Sequence, residues 1–300
     1  MKEVKCLHKF LRAVGFSEYT TTKKIQELIR NVILQADGRN YTNNGKEDVV
    51  IAEFCKDFAE NMGIAVCGEF DDRDNFIYYY YYPYLRGTCV SSMEDVTIER
   101  HAANESYAGV CDDVKVGVTL IFYLQNMITY IKYRNSDRFP IRGTSLTLSA
   151  MSVQASVMMP ILKSEKEKKK SRQSSINRNQ LIEAARRGDE EAIETLTLED
   201  MDTYTTISRR IQEEDVFSLV DTYFMPYGVE CDQYSILGEI TDCRLVSNAV
   251  TEEKVWLMTV DCNELTFDVC ITEKDLYGEP MAGRRLKGVV WLQGKVNYPM

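Results

Sequence analysis

The carboxy-terminal third constrains the fold most tightly. Between Asp232 and Val296 four segments alternate apolar and polar residues: Ser235-Ile-Leu-Gly-Glu-Ile, Lys254-Val-Trp-Leu-Met-Thr-Val, Leu265-Thr-Phe-Asp-Val-Cys-Ile and Lys287-Gly-Val-Val-Trp-Leu-Gln-Gly. Period-two alternation, rich in β-branched residues and broken by turn residues, predicts strands with one buried and one wet face. Four such strands in about seventy residues predict a compact antiparallel barrel or sandwich; the small barrel is the form expected, with an OB-like one as a candidate.

The rest of the chain is mixed. Ile25, Leu28, Ile29, Val32, Ile33 and Ala36 repeat at helical spacing, with Thr20 to Thr22 as candidate caps. Val49-Val-Ile, Ile64-Ala-Val-Cys, Phe76-Ile-Tyr-Tyr-Tyr-Tyr-Tyr and Val96-Thr-Ile-Glu-Arg read as strands, although Val50, Phe54 and Phe58 also fit a helix. Val114 to Tyr133 reads as one helix on the stripe Leu120, Tyr123, Leu124, Met127, Ile128 and Ile131, and 146–162 reads as a hairpin.

The run from Lys163 to Ser175 has no apolar anchor and predicts a mobile strap. Two helices follow around Gly188 and Asp189. A third stripe (Leu198, Met201, Tyr204, Ile207, Ile211) and a fourth (Val216, Leu219, Val220, Tyr223, Phe224) complete a helical middle. The expected fold class is therefore α+β in four parts. These are an antiparallel-sheet domain with helices over 1–162, a flexible charged linker over 163–177, a helical segment over 178–228 and the barrel over 229–300.

The net charge of −10 disfavours non-specific binding to nucleic acid or an anionic membrane. No apolar run reaches the roughly twenty residues that span a bilayer. Nine scattered cysteines without a Cys-x-x-Cys pair, behind an amino terminus broken by charges, predict reduced thiols in a cytoplasmic protein.

Candidate chemistry is sparse. Gly278 and Gly283 mimic phosphate-loop spacing, but no Lys-Ser/Thr follows and a strand comes next, so no helix amino terminus is there to hold a phosphate. Arg284, Arg285 and Lys287 beside Trp291 remain a candidate anion-binding group, with Trp256 as a second aromatic neighbour. Tyr78, Tyr80 and Tyr82 are a candidate interaction surface, since alternate tyrosines on a strand leave one set for a partner. His8 and His101 lie far apart, and no Cys/His spacing suggests a metal. Cys262 and Cys270 read as buried thiols. Glu199, Asp200 and Asp202 read as the acidic start of a helix. No catalytic residue, metal or cofactor is assigned.

Five phrases together resemble one family: His8-Lys-Phe-Leu-Arg-Ala-Val-Gly-Phe, Ser106-Tyr-Ala-Gly-Val-Cys-Asp-Asp, Leu120-Ile-Phe-Tyr-Leu-Gln-Asn, Glu214-Asp-Val-Phe-Ser-Leu-Val-Asp-Thr-Tyr-Phe-Met-Pro-Tyr-Gly and Lys287-Gly-Val-Val-Trp-Leu-Gln-Gly. Over nearly its whole length the chain resembles an uncharacterised clostridial family, a domain of unknown function. The resemblance implies a bacterial cytosolic protein and carries no activity, cofactor or site residue. The leading expectation is a non-enzymatic interaction or regulatory protein with a protein partner. The first alternative is a barrel binding an oligonucleotide, nucleotide or other anion. The second is an enzyme with an unfamiliar site.

Overall fold

The computed structural model describes residues 8–43, 49–100, 106–113, 115–136, 143–161, 165–210 and 215–299. The architecture is α+β, with one four-stranded antiparallel sheet and a second sheet that closes into a barrel.

The chain opens with a 3-10 turn, Lys9–Val14, whose apolar residues are buried, and then helix α1, Thr22–Leu34. The Thr21 hydroxyl caps α1 by accepting from the Lys24 N–H, and Ile25, Leu28, Ile29 and Val32 face inward as their spacing predicts. Strands β1 (Gly38–Asn43), β2 (Val50–Ala59), β3 (Met62–Phe70) and β4 (Phe76–Leu85) form the first sheet in sequential order. The helical alternative at Val50 to Phe58 loses to ladder pairing with β1 and β3.

Strands β5 (Val96–Arg100), β6 (Tyr107–Cys111) and β7 (Leu120–Leu124) make a meander, and helix α2 (Met127–Arg134) follows. The single helix expected over Val114 to Tyr133 is thus corrected to a strand and a short helix. Leu120 and Leu124 satisfy both periods, and pairing with β6, which buries Phe122 on the same face, settles the choice. The Phe122 ring also needs room that only glycine leaves. A Cβ at Gly109 or Gly294 would lie 2.1 or 2.4 Å from it.

The hairpin expected at 146–162 is instead one bent strand, β8, Ser145–Met158. It turns around the barrel without reversing. At the bend β8 itself carries a bulge, with two residues between Ser152 and Ala155 against one between Gly288 and Val290, and the Ser152 hydroxyl donates to the Val289 carbonyl.

Helix α3 covers Glu165–Arg186, so most of the expected strap is helical. Its Lys, Glu, Arg and Gln residues are good helix formers even without an apolar face. Gly188 breaks α3 in the left-handed region (φ 88°), and the Asp189 carboxylate caps α4, Glu190–Arg210, at the Ala192 N–H. The fourth expected stripe is only partly helical. Helix α5 is Val216–Leu219, and β9, Tyr223–Pro226, joins the sheet beside the next strand.

The predicted carboxy-terminal strands all form: β10 (Gln233–Ser247), β11 (Lys254–Cys262), β12 (Leu265–Thr272) and β14 (Arg285–Asn297), with the two-residue β13, Leu276–Tyr277, between the last two. They do not close by themselves. The five-membered ring is β8-β14-β10-β11-β12, with β8 antiparallel to β14 from Met158↔Arg285 to Ser145↔Asn297 and parallel to β12. The barrel expected over 229–300 therefore takes a strand from the amino-terminal half, and β7 extends the same sheet beside β14. Because β14 sits between β8 and β10, the first three barrel strands in chain order are not the meander that begins an OB-fold.

Two cores result. Val290 and Leu292 point into the barrel, while Trp291 between them points out to a second core with Phe10, Val14, Phe54, Phe58 and Tyr81. Val269 and Cys270 split in the same way. Both faces of these strands are dry, which accounts for their near-continuous apolar character. Gln293 fastens the sheet to the barrel: its amide donates to the Pro83 carbonyl at 2.8 Å and accepts from the Leu85 N–H and the Gln125 amide.

Candidate functional site

The tyrosine run lies on β4, where the register carries a bulge. Tyr80 pairs with Cys67 and Tyr78 with Gly68, so Tyr79 is the extra residue. A bulge re-aims side chains, and here Tyr79 and Tyr80 line a small cleft with Ile51, Cys67, Gly68, Glu69 and Met127. Tyr78 and Tyr80 are half-buried and Tyr82 is buried, so the three candidate interaction tyrosines are chiefly packed.

Behind the cleft is a buried polar cluster that composition does not disclose. Register places Glu53, Cys67 and Tyr80 in one cross-strand row, with Cys55 and Tyr82 in the next. Glu53 Oε1 accepts from the Tyr82 hydroxyl at 2.8 Å and from the Cys67 thiol at 3.8 Å, and its Oε2 accepts from the Asn40 amide at 3.2 Å. Burial pushes the Glu53 carboxyl up, against the pull of those hydrogen bonds. Burial also raises the Cys55 and Cys67 thiols, and the neighbouring Glu53 adds to it. Tyr80, Tyr82 and Tyr123 are raised by the same desolvation. Such thiols stay protonated at neutral pH, and the thiolate is the nucleophile and metal ligand. The row can hold a fold together; it offers no ready nucleophile. No signal in the sequence singles out Glu53: it shares strand parity with Ile51 and Cys55, but Ala52, Phe54 and Phe58 on the other face of β2 are buried too.

The candidate anion group is divided. The Arg285 guanidinium is buried and donates to the carbonyls of Met159 (3.0 Å), Val220 (3.0 Å) and Phe217 (2.9 Å). Lys287 Nζ lies 3.8 Å from the Phe217 ring centroid, and Arg284 donates to the Glu279 carbonyl. Trp291 belongs elsewhere, stacked on Phe10 with its indole N–H donating to Asp232 at 2.7 Å. Trp256 packs against the barrel core. Gly283, at φ 86°, turns the chain into β14.

His8 is half-buried, packed against Trp291 and Tyr81, and desolvation of its ring holds its imidazole down at about 4, with Lys9 adding to it. His101 lies outside the described residues. Cys262 faces the barrel interior and Cys270 the second core. Among the described residues no group of three His, Cys, Asp or Glu could hold a metal ion.

The remaining feature is the α3–α4 hairpin. Its two helices have their main contact with one another. Glu199 and Asp200, expected to open a helix, lie within α4 and pair with Arg178 of α3, at 3.6 and 2.7 Å. Ala192 is buried and Leu196 half-buried. The described side chains of the third predicted stripe are not covered: Leu198 is 58%, Met201 62% and Tyr204 76% exposed, and Ile193 on the same helix 47%. Ile176 on α3 is exposed as well. Arg285 sits at the root of this hairpin, since Met159 precedes it and Phe217 and Val220 follow it.

A family model described as "Domain of unknown function, E. rectale Gene description (DUF3881)" matches residues 11–294. No curated protein and no solved structure matches the chain.

Proposed function

The chain belongs to the DUF3881 family, and we propose that it works as a non-enzymatic interaction protein whose α3–α4 hairpin is the binding arm. The supporting observation is the uncovered stripe Leu198, Met201 and Tyr204 on a helix that projects between β8 and β9. Burying one such side chain is worth about 1.5–3 kcal/mol, so four or five of them on one hairpin favour a partner. Exposed apolar residues gathered on one element mark interaction surfaces, whereas scattered ones do not.

The partner is a protein. An amphipathic helix offering apolar residues at spacings of three and four suits a second helix or a groove. The acidic first turn of α4, with Glu190 and Glu191, and the net charge of −10 disfavour nucleic acid and anionic lipid at the Leu198 to Tyr204 stripe. A reducing compartment, the bacterial cytoplasm, agrees with free thiols at all eight cysteines from Cys55 to Cys270. No helix of the described residues is long and apolar enough to cross a membrane. The anion-binding alternative has less support, because Arg285 is committed to backbone carbonyls.

Quantitative affinity capture from native cells tests the arm. Wild-type chain and a Leu198→Glu/Tyr204→Glu variant are compared. The arm requires proteins that co-purify with the wild type and fall at least about tenfold with the variant, tenfold being about 1.4 kcal/mol. Identical captured sets would remove the hairpin as the binding surface.

A further inference from the structure

The exposed face of α4 has a symmetry of its own. At helical spacing Glu190, Glu194, Leu198, Met201, Thr205 and Arg209 fall within one side of the helix. The described side chains of this row are all exposed. Read end to end it runs acid, acid, apolar, apolar, hydroxyl, base. Turned about its midpoint, between Glu199 and Asp200, each position meets a complement. Leu198 meets Met201, Glu194 meets Thr205, and Glu190 meets Arg209.

Resting on the reading of the hairpin as a binding arm, we infer that the arm's partner is a second copy of this chain, through an antiparallel two-fold pairing of α4 with α4. A two-fold contact needs a surface that complements itself, and this row does. Leu198 and Met201 of each copy form the apolar centre, with Tyr204 at its border. The acidic first turn of each helix lies against the basic last turn of the other, where Arg209 and Arg210 stand. The helix dipoles then run in opposite directions, which also favours the pair. A parallel pairing would set Glu190 on Glu190 and Glu194 on Glu194. Glu199 and Asp200 do not oppose the antiparallel contact, because Arg178 of the same hairpin holds both. Two helices of 21 residues, about 31 Å each, make an interface at the small end of the range, which suits a reversible rather than an obligate dimer.

Sedimentation equilibrium on the full chain, from about 1 to about 200 µM, tests this. The expected result is a monomer–dimer equilibrium that Leu198→Glu/Met201→Glu weakens by at least about 30-fold. Charge reversal tests the direction. Glu190→Arg alone and Arg209→Glu alone each weaken self-association by about tenfold, while a mixture of the two single variants forms a heterodimer with near wild-type affinity. Only an antiparallel contact gives that pattern, because within one chain the two positions are about 28 Å apart along the helix. Far-UV circular dichroism checks that each variant keeps its helix. A chain that is monomeric at 200 µM overturns the proposal, as does a dimer indifferent to Leu198→Glu/Met201→Glu or a mixture no tighter than its components. A monomer that still loses captured proteins with Leu198→Glu/Tyr204→Glu overturns the self-pairing and leaves the binding arm standing.

Discussion

Glu53 and His8 set opposite pH dependences on the same fold. Glu53 holds its proton more tightly in the fold than in the unfolded chain, because burial raises its carboxyl. Its contribution is full below the ordinary carboxyl range, about 4.3, and is lost as pH rises toward its folded value. The Glu53→Gln variant keeps a neutral hydrogen-bonding group and should be at least as stable as wild type at pH 8. The difference should shrink toward pH 4, read as urea midpoints across that range. His8 acts the other way. Its imidazole is held at about 4 against an ordinary 6.5, so its contribution is intact above about 6.5 and is lost as pH falls through about 4. The loss amounts to up to about 3 kcal/mol. A His8→Phe variant, packed on Trp291 as the ring is now, should show a flatter urea midpoint between pH 6.5 and 4.

At the scale of elements, Arg285 carries more than its position at the start of a strand suggests. Three carbonyls on both sides of the hairpin converge on one buried guanidinium. Arg285→Met would leave them without donors, at about 1–3 kcal/mol for each that stays buried. The expected loss is roughly 2–4 kcal/mol, with faster amide exchange confined first to α5 and the residues around Met159. Uniform exchange over the whole barrel would contradict the clamp. The sequence showed three basic residues here and could not show which one turns inward, because carbonyl partners from Met159 and Phe217 leave no trace in composition. Strands were easier to read. Period two survives wherever one face is wet, which is why β11 is visible as a pattern; β12, dry on both faces, shows through its β-branched and aromatic residues instead. The pattern misleads at Leu120 to Tyr133, where strand and helix share apolar positions, and at Ser152, where a strand bends without turn residues. The stripe on α4 is visible in the sequence, but its exposure is not, since an amphipathic helix looks the same whether its own fold or a partner covers it. Glu53 was missed because strand parity alone does not say which face a four-stranded sheet buries.

The molecule as a whole is one interlocked body with one appended arm. The barrel needs β8 from before the hairpin, and β14 and β8 pair along their full length. A fragment of residues 229–300 should therefore stay unfolded by circular dichroism and tryptophan fluorescence. Adding a peptide of residues 143–161 supplies the missing strand, though an exposed β12 edge without it invites aggregation. The hairpin stands differently. It packs on itself, and the carbonyls of Met159 and Phe217 at its two ends both reach Arg285, so its roots are close enough for a short linker. An arm that serves binding alone leaves a body that folds without it. Replacing residues 165–210 with a short Gly-Ser linker and measuring urea denaturation puts that claim to its most direct test. The predicted result is a cooperative transition within about 1 kcal/mol of the intact chain's. A chain that no longer folds without the hairpin would show that the Leu198 to Tyr204 face serves the fold itself, contradicting the account.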